Sequence, residues 1–212
     1  QVADLRKQEE CDNFIANTML KFVKIDVLVN NAGITMRTTL EDANVSEIEN
    51  VMQLNFFGSV YCTKAALPYI IESEGSIVAI SSIAGLRGIP KRTGYSASKF
   101  AVQGFFESLR LELAATGVHV LVVSPWFTRT AIRQNSGGKF NEGSSHTPEY
   151  VADAILNAIL KRDRDAVLGF LGKLTVKANV FFPKLFDRLL LKYFAKVEDG
   201  DLNKKSEVPR NL

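Results

Sequence analysis

The residues best suited to chemistry in this sequence are a tyrosine and a lysine four positions apart. Tyr95 and Lys99 bound the run Tyr-Ser-Ala-Ser-Lys, and on a helix this spacing places both side chains on one face. A free phenol, with a pKa of about 10, is a poor base at neutral pH, but a nearby ammonium group favours the phenolate. The pair could therefore serve as the acid/base of an alcohol/ketone couple, although a lone pair of this kind is more often a pair of helix-surface neighbours.

Two further polar features could complete such a site. Ser82 could donate a hydrogen bond to the same substrate oxygen as Tyr95 and stabilise the charge that develops there. The run Asn30-Asn31-Ala32-Gly33 could pin neighbouring strand ends through its amides, while its small residues would let a flat ligand approach the backbone. Taken alone, that run is as often structural as functional.

The elements around these residues predict an α/β fold. Three short apolar runs, at 26–30, 76–80 and 118–123, are typical of parallel strands that are buried on both faces. A segment with helical spacing of apolar residues precedes each run. Alternating strands and helices predict βαβ units and a doubly wound, Rossmann-like parallel sheet. Ligands of such sheets bind beyond the carboxyl ends of the strands, which is where the candidate residues fall.

Taken together, these features resemble the short-chain dehydrogenase/reductase family. The residues that carry the resemblance, in chain order, are Asn30-Asn31-Ala32-Gly33, Asn55 in Leu54-Asn55-Phe56-Phe57-Gly58, Ser82, Tyr95, Lys99, Pro125 and Thr130. The matching positions extend from Asp4 to about Thr130. The resemblance implies hydride transfer between NAD or NADP and an alcohol or carbonyl compound, with a homodimer or homotetramer as the assembly.

The resemblance also implies a role for each member of the catalytic group. Tyr95 would be the general acid in reduction and the general base in oxidation. Lys99 would lower the pKa of that phenol and hold the ribose hydroxyls of the nicotinamide nucleotide. Ser82 would orient the substrate oxygen, and Asn55 would hold a water that links Lys99 to solvent.

Cofactor contacts are implied along the whole length of the nucleotide. From adenine to nicotinamide they fall on Asp4 and Leu5, then on Asn31, Ala32 and Gly33, and finally on Thr128 and Thr130, besides Tyr95 and Lys99. Trp126 stands where the family usually has glycine after its proline, so its indole is expected either to swing outward or to reshape the pocket.

A second departure from the family pattern lies at the start of the chain. The Gly-rich loop that receives the pyrophosphate would precede Asp4, as would the residue that selects NAD or NADP. Neither is in this sequence, which begins at Gln1, and we interpret this as a missing segment. The 212 residues alone are therefore not expected to form a competent enzyme, and a catalytically inactive binding or scaffold protein is the alternative function.

The remaining sequence favours a cytoplasmic enzyme with a distinctive tail. The net charge of +3 is scattered and accompanies no nucleic-acid motif, and two isolated cysteines suggest neither a disulfide nor a metal site. We predict an oxidoreductase domain at 1–172, an amphipathic basic helix at 173–197 and a disordered end at 198–212.

Two parts of this organisation leave alternatives open. The Gly- and Ser-rich loop at 128–147 is either a substrate lid or a plain surface loop. The tail helix would pack on the core or at a subunit interface, would cover an apolar substrate site, or would rest on an anionic membrane through 181–196.

Overall fold

The fold is built on a sheet of four parallel strands. A computed structural model describes residues 1–129 and 145–198. The strands run in the order β1 to β4 across the sheet, and they span Val27–Asn30 (β1), Ser76–Ile80 (β2), His119–Ser124 (β3) and Asp165–Val167 (β4). The three predicted strands are confirmed to within a residue at each end. β4 was not predicted, because three residues are too few to show a period.

The sheet buries its two central strands and leaves β1 as an edge. Every residue of β3 is buried, whereas Val27 and Val29 of β1 are 44% and 45% exposed. Parallel registers align the carboxyl ends of the strands, since Asn30 pairs with Ala79 and Ile80 with Val123. Side chains that follow these strands are thereby gathered at one edge of the sheet.

Seven helices accompany the strands in the described part of the chain. They are α1 Gln8–Phe22, α2 Val45–Met52, α3 Gly58–Glu72, α4 Thr93–Glu112, α5 Pro148–Leu160, α6 Phe170–Phe181 and α7 Pro183–Glu198. A π-helical turn, Gln53–Phe57, joins α2 to α3, and a 3₁₀ turn, Ile83–Gly85, follows β2.

Helices cover both faces of the sheet, as the doubly wound prediction requires. On one face Ile77 and Val120 pack with Phe106 of α4 and Ile70 of α3. On the other face Val78 and Leu121 pack against Ala158 of α5. Successive residues of each strand therefore serve opposite cores, which explains why the strands are apolar at consecutive positions.

The structure corrects the prediction of a single tail helix at 173–197. Two helices, α6 and α7, occupy that segment, and they meet at Phe182. Pro183 causes the break, because proline lacks a backbone N–H and disfavours helical geometry in the residue before it. None of the described helices is long and apolar enough to cross a membrane. The predicted disordered end, apart from Glu198, and most of the 128–147 loop lie outside the described residues.

Candidate active site

Tyr95 and Lys99 occupy one side of α4 where that helix passes the carboxyl end of β2. The Lys99 ammonium nitrogen lies 5.9 Å from the centroid of the Tyr95 ring. Nζ donates a hydrogen bond of 2.8 Å to the carbonyl of Ile80, the last residue of β2. Lys99 is only 5% exposed. The predicted pair is thus on one face of a helix and is anchored to the strand end.

Burial governs the ionisation of both members of the pair. It lowers the pKa of Lys99 from 10.5 to about 8, because the charged ammonium loses its hydration. Burial also raises the pKa of the Tyr95 phenol, against the opposing effects of a hydrogen bond with Ser82 and of the Arg92 charge. The guanidinium carbon of Arg92 lies 6.0 Å from the Tyr95 ring centroid.

The pKa of the Tyr95 phenol is therefore governed mainly by burial, and not by the lowering expected from Lys99. Desolvation outweighs the attraction of nearby positive charge, so the phenol remains protonated at neutral pH. Where charge does favour the phenolate, it comes from Arg92, a residue that the sequence motif did not point to.

Ser82 is held beside Tyr95 by the turn that follows β2. Its hydroxyl oxygen accepts a 3.1 Å hydrogen bond from the backbone N–H of Ala84, which caps the 3₁₀ turn Ile83–Gly85. The same side chain lies close enough to Tyr95 to oppose the rise in the pKa of that phenol. The cap fixes the Ser82 oxygen, and the two hydroxyl groups face a common space.

Asn55 sits in the π-helical turn and joins two parts of the site. It is 1% exposed. Its Oδ1 accepts from the N–H of Ile34 at 2.8 Å, while its Nδ2 donates to the Ile34 carbonyl at 3.0 Å and to Ser98 Oγ at 2.9 Å. Ser98 in turn donates to the Tyr95 carbonyl at 2.8 Å. Asn55 thereby ties the loop after β1 to α4, and π turns of this kind recur at functional sites. The water-holding role stays a prediction.

A cleft at the carboxyl ends of β1 to β3 brings the predicted residues together. Gly33, Ser82, Tyr95, Lys99 and Thr128 all line it. The cleft encloses about 1230 Å³, including its open mouth. Asn55 lies behind this wall and supports it through the contacts described above.

The adenosine side of the predicted cofactor path maps to an adjoining groove. Leu5 and Ala32 line this groove, and Asn31 lines both the groove and the cleft. Asp4 does not line it; its carboxylate is paired with Arg6 at 2.8 Å, and hydrogen bonds from Arg6 lower the pKa of Asp4 to about 2.

The nicotinamide side of the path is described only in part. Thr128 lines the cleft, and its hydroxyl donates to the Trp126 carbonyl at 3.1 Å. Thr130 lies outside the described residues.

The space around Gly33 shows whether the site has room for a nicotinamide nucleotide. A Cβ added there would lie 3.0 Å from Asn55 Oδ1 and 3.7 Å from Lys99 Nζ. Glycine therefore keeps open the space beside the lysine, where a flat ligand can approach the backbone. Lys99 itself offers more N–H donors than the one it gives to Ile80. The residues present fit the ribose and ring of such a cofactor.

Trp126 reshapes the pocket and does not swing away from it. Its side chain lines the cleft and packs edge-on against Phe127, with ring centroids 5.0 Å apart. Its indole nitrogen is buried and has no hydrogen-bond partner among the described residues. A bulky aromatic residue thus lines the cleft at the position where the family usually has glycine.

The structure adds cleft residues that sequence reasoning missed. Arg87 and Arg92 line the cleft, as do Thr175 of α6 and Leu190 of α7. Arg87 donates to Asn179 at 2.7 Å and is paired with Asp187. A tail helix over an apolar substrate site was one of the predicted alternatives, but no sequence signal identified these individual contacts, because they span about a hundred residues of chain.

Comparison with known proteins decides the family. The family model for short chain dehydrogenase matches residues 1–139. This chain belongs to the short-chain dehydrogenase family. The resemblance carried by the motifs is thereby confirmed, and members of this family use NAD or NADP as cofactor.

Individual relatives are oxidoreductases by name. The chain is 38% identical over 180 residues to dehydrogenase/reductase SDR family member 7B of Mus musculus, covering 80% of this chain and 56% of that protein. It is 34% identical over 226 residues to 11-beta-hydroxysteroid dehydrogenase 1A of Arabidopsis thaliana, covering 96% and 64%. The chain thus spans between about half and two thirds of the length of these curated relatives.

A solved structure gives the same fold. The alcohol dehydrogenase from Thermococcus sibiricus, complexed with 5-hydroxy-NADP, matches with a TM-score of 0.70 and 25% identity, covering 77% of this chain and 69% of that one. The α/β, Rossmann-like prediction is confirmed.

Proposed function

We propose that the protein interconverts an alcohol and a ketone or aldehyde with NAD or NADP as hydride carrier. Family membership supports an NAD(P)-dependent oxidoreductase in general. The observation that carries the finer proposal is the convergence of the Tyr95 and Ser82 hydroxyl groups with the Lys99 ammonium group in one cleft. These three groups suit a reaction in which an oxygen gains or loses a proton.

The cofactor would lie along the groove and cleft already described. Leu5, Asn31 and Ala32 would contact its adenosine half, while Gly33 and Lys99 would accommodate the nicotinamide ribose. When bound, the nicotinamide supplies or accepts the hydride.

The protein's own residues handle the proton. Tyr95, whose pKa burial raises, is protonated at neutral pH and can donate its proton to a carbonyl oxygen. Ser82 can direct its one hydroxyl hydrogen to the same oxygen, while its own oxygen accepts from Ala84. A fixed donor aimed at developing negative charge stabilises the transition state.

The cleft wall favours an apolar substrate. Its aliphatic lining comes from several elements and consists of Ile34, Ile80, Ile83, Ile89, Val151 and Leu190. A lining of this kind excludes water and selects by shape more than by hydrogen bonding. Ketones with a ring or a long hydrocarbon part are the compounds that we expect it to accept.

Turnover of NADH and NADPH by the full-length protein tests the proposal, with a panel of apolar ketones as substrates. Tyr95→Phe should lower kcat by about 10²–10⁴-fold, the range for loss of a general acid. Tyr69→Phe is the matched control, since that ring packs against the core far from the cleft.

Near-normal turnover by Tyr95→Phe would overturn the proposed role. Nucleotide binding without turnover of any ketone or alcohol would instead favour the alternative of an inactive binding protein.

A further inference from the structure

The two tail helices expose an unusual amount of apolar surface. We call α6 and α7, over residues 170–192, the tail hairpin. Nine of its large apolar side chains are between 44% and 80% exposed: Phe170, Leu171, Leu174, Val180, Phe181, Phe182, Leu185, Leu189 and Leu191. Contiguous apolar surface of this kind marks an interaction site.

Basic side chains accompany this apolar surface. Lys184, Arg188 and Lys192 recur at four-residue intervals along α7, while Lys173 and Lys177 do so on α6. All five are exposed, and none forms an ion pair with an acidic group among the described residues. The outer surface of the tail hairpin therefore combines exposed hydrocarbon with uncompensated positive charge.

The single acidic residue of the tail hairpin faces the other way. Asp187 is paired with Arg87 at the rim of the cleft, and Asn179 binds the same arginine. Thr175 and Leu190 line the cleft itself. The inner side of the tail hairpin thus contacts the rest of the protein, whereas its outer side has no partner among residues 1–129 and 145–198.

We propose that the outer side of the tail hairpin docks onto a lipid surface that carries anionic headgroups. Amphipathic helices with a basic polar side lie in such an interface, with their apolar side chains among the acyl chains. Lysine and arginine near an anionic leaflet add to the attraction. A second copy of the chain fits less well, because a two-fold interface places the same basic residues opposite each other.

This docking would place the cleft next to the bilayer. Thr175 and Leu190 belong to the same helices that would contact lipid, so an apolar substrate would reach the cleft from the membrane. That consequence rests on the proposed function, whereas the docking itself does not.

A fluorophore at the tail hairpin of the full-length protein tests the docking without reference to activity. An environment-sensitive dye is attached at Leu185→Cys, and at Leu20→Cys on α1 as control, since Leu20 is also exposed. Cys11 and Cys62 are buried and should not react, and any cysteine of the full-length protein outside this sequence is replaced by serine before labelling. Vesicles of phosphatidylcholine with phosphatidylserine should shift the emission to the blue at position 185 only, and vesicles of phosphatidylcholine alone should do so weakly.

Charge reversal supplies the second measurement. Lys184→Glu combined with Arg188→Glu should raise the lipid concentration needed for the half-maximal emission shift at least 25-fold. This is about fivefold for each positive charge removed. Lys64→Glu on α3 should leave that concentration unchanged. No emission change with anionic vesicles, or an equal change at position 20, would overturn the proposal. A change that follows protein concentration without vesicles would assign the surface to a second copy of the chain.

Discussion

Replacing the buried lysine of the active site should make the protein more stable at neutral pH while abolishing its activity. Burial lowers the pKa of Lys99 from 10.5 to about 8. A shift of that size corresponds to about 3 kcal/mol, because each pKa unit is worth about 1.4 kcal/mol. This is the destabilisation of the native state by the buried charge at pH values below 8, and a Lys99→Met substitution removes it.

The sign of the effect with pH follows from proton uptake. Between pH 8 and 10.5 the unfolded chain retains the Lys99 proton that the native state has released, so the unfolded state binds more protons. The free energy of unfolding must then rise with pH over this interval. Lys99→Met lacks this contribution. The free energy of unfolding of the variant should therefore exceed that of the parent by an amount that shrinks as the pH rises from 8 and disappears near pH 10.5.

Urea unfolding of both proteins at a series of pH values measures this difference. Other groups that titrate in the same range contribute equally to both proteins, so they cancel when the two free energies are subtracted. Lys64→Met, at an exposed position of α3, should show no pH-dependent difference from the parent. Parallel curves for Lys99→Met and the parent protein would refute the argument that burial penalises this charge.

Three further outcomes follow from the site geometry. Gly33→Ala should weaken NADPH binding at least tenfold, because the added Cβ lies 3.0 Å from Asn55 Oδ1; Gly104→Ala, with open space around its Cβ, should not. Asn55→Ala should lower the free energy of unfolding by about 2–4 kcal/mol, since it removes the partner of buried Ser98 Oγ and of the partly buried N–H and carbonyl of Ile34, and unchanged urea midpoints would contradict this. Trp126, the one tryptophan of the chain, should transfer its excitation to bound NADPH, and Trp126→Phe should eliminate the sensitised emission.

The sheet was readable from sequence wherever burial imposed a strong pattern. β2 and β3 are buried on both faces, so hydrophobic residues occur at consecutive positions and mark each strand. β4 has three residues and begins at the last residue of the charged run 161–165, and it forms because its backbone completes the ladder beside β3. Tertiary pairing of this kind leaves no local signal.

In the tail, the sequence contains the residue that divides the two helices, Pro183, but the apolar periodicity on its C-terminal side led to the prediction of a single helix. The apolar pairs Leu185-Phe186 and Leu189-Leu190 of α7 recur every four residues, and this periodicity underlies the prediction of one helix that continues back across Pro183 to residue 173. The proline forces Phe182 to φ −135° and ψ 57°, which ends α6 and turns the chain. Periodicity indicates which side of a helix is apolar, but it does not indicate where one helix ends and the next begins.

For the catalytic group, the sequence predicts which residues take part, but the structure is needed to know their ionisation. Tyr95, Lys99 and Ser82 could be identified from spacing, because the family motif fixes their types and intervals. Their ionisation could not, since it depends on how completely each side chain is removed from water. The arginine that favours the phenolate comes from the loop before α4, and no motif recorded it.

Burial therefore gives the two directions of the proposed reaction different requirements. It disfavours the charged forms of both Tyr95 and Lys99. Because the pKa of Lys99 is still about 8, the pair at neutral pH is a phenol beside a largely protonated ammonium group. A phenol can donate a proton to a carbonyl oxygen without any earlier ionisation. To accept a proton from an alcohol it must first lose its own against the desolvation penalty, and the two groups that reduce this penalty are Ser82 and Arg92. The motif thus specifies which residue moves the proton, while burial, Ser82 and the charge of Arg92 together set how readily that residue acts as a base.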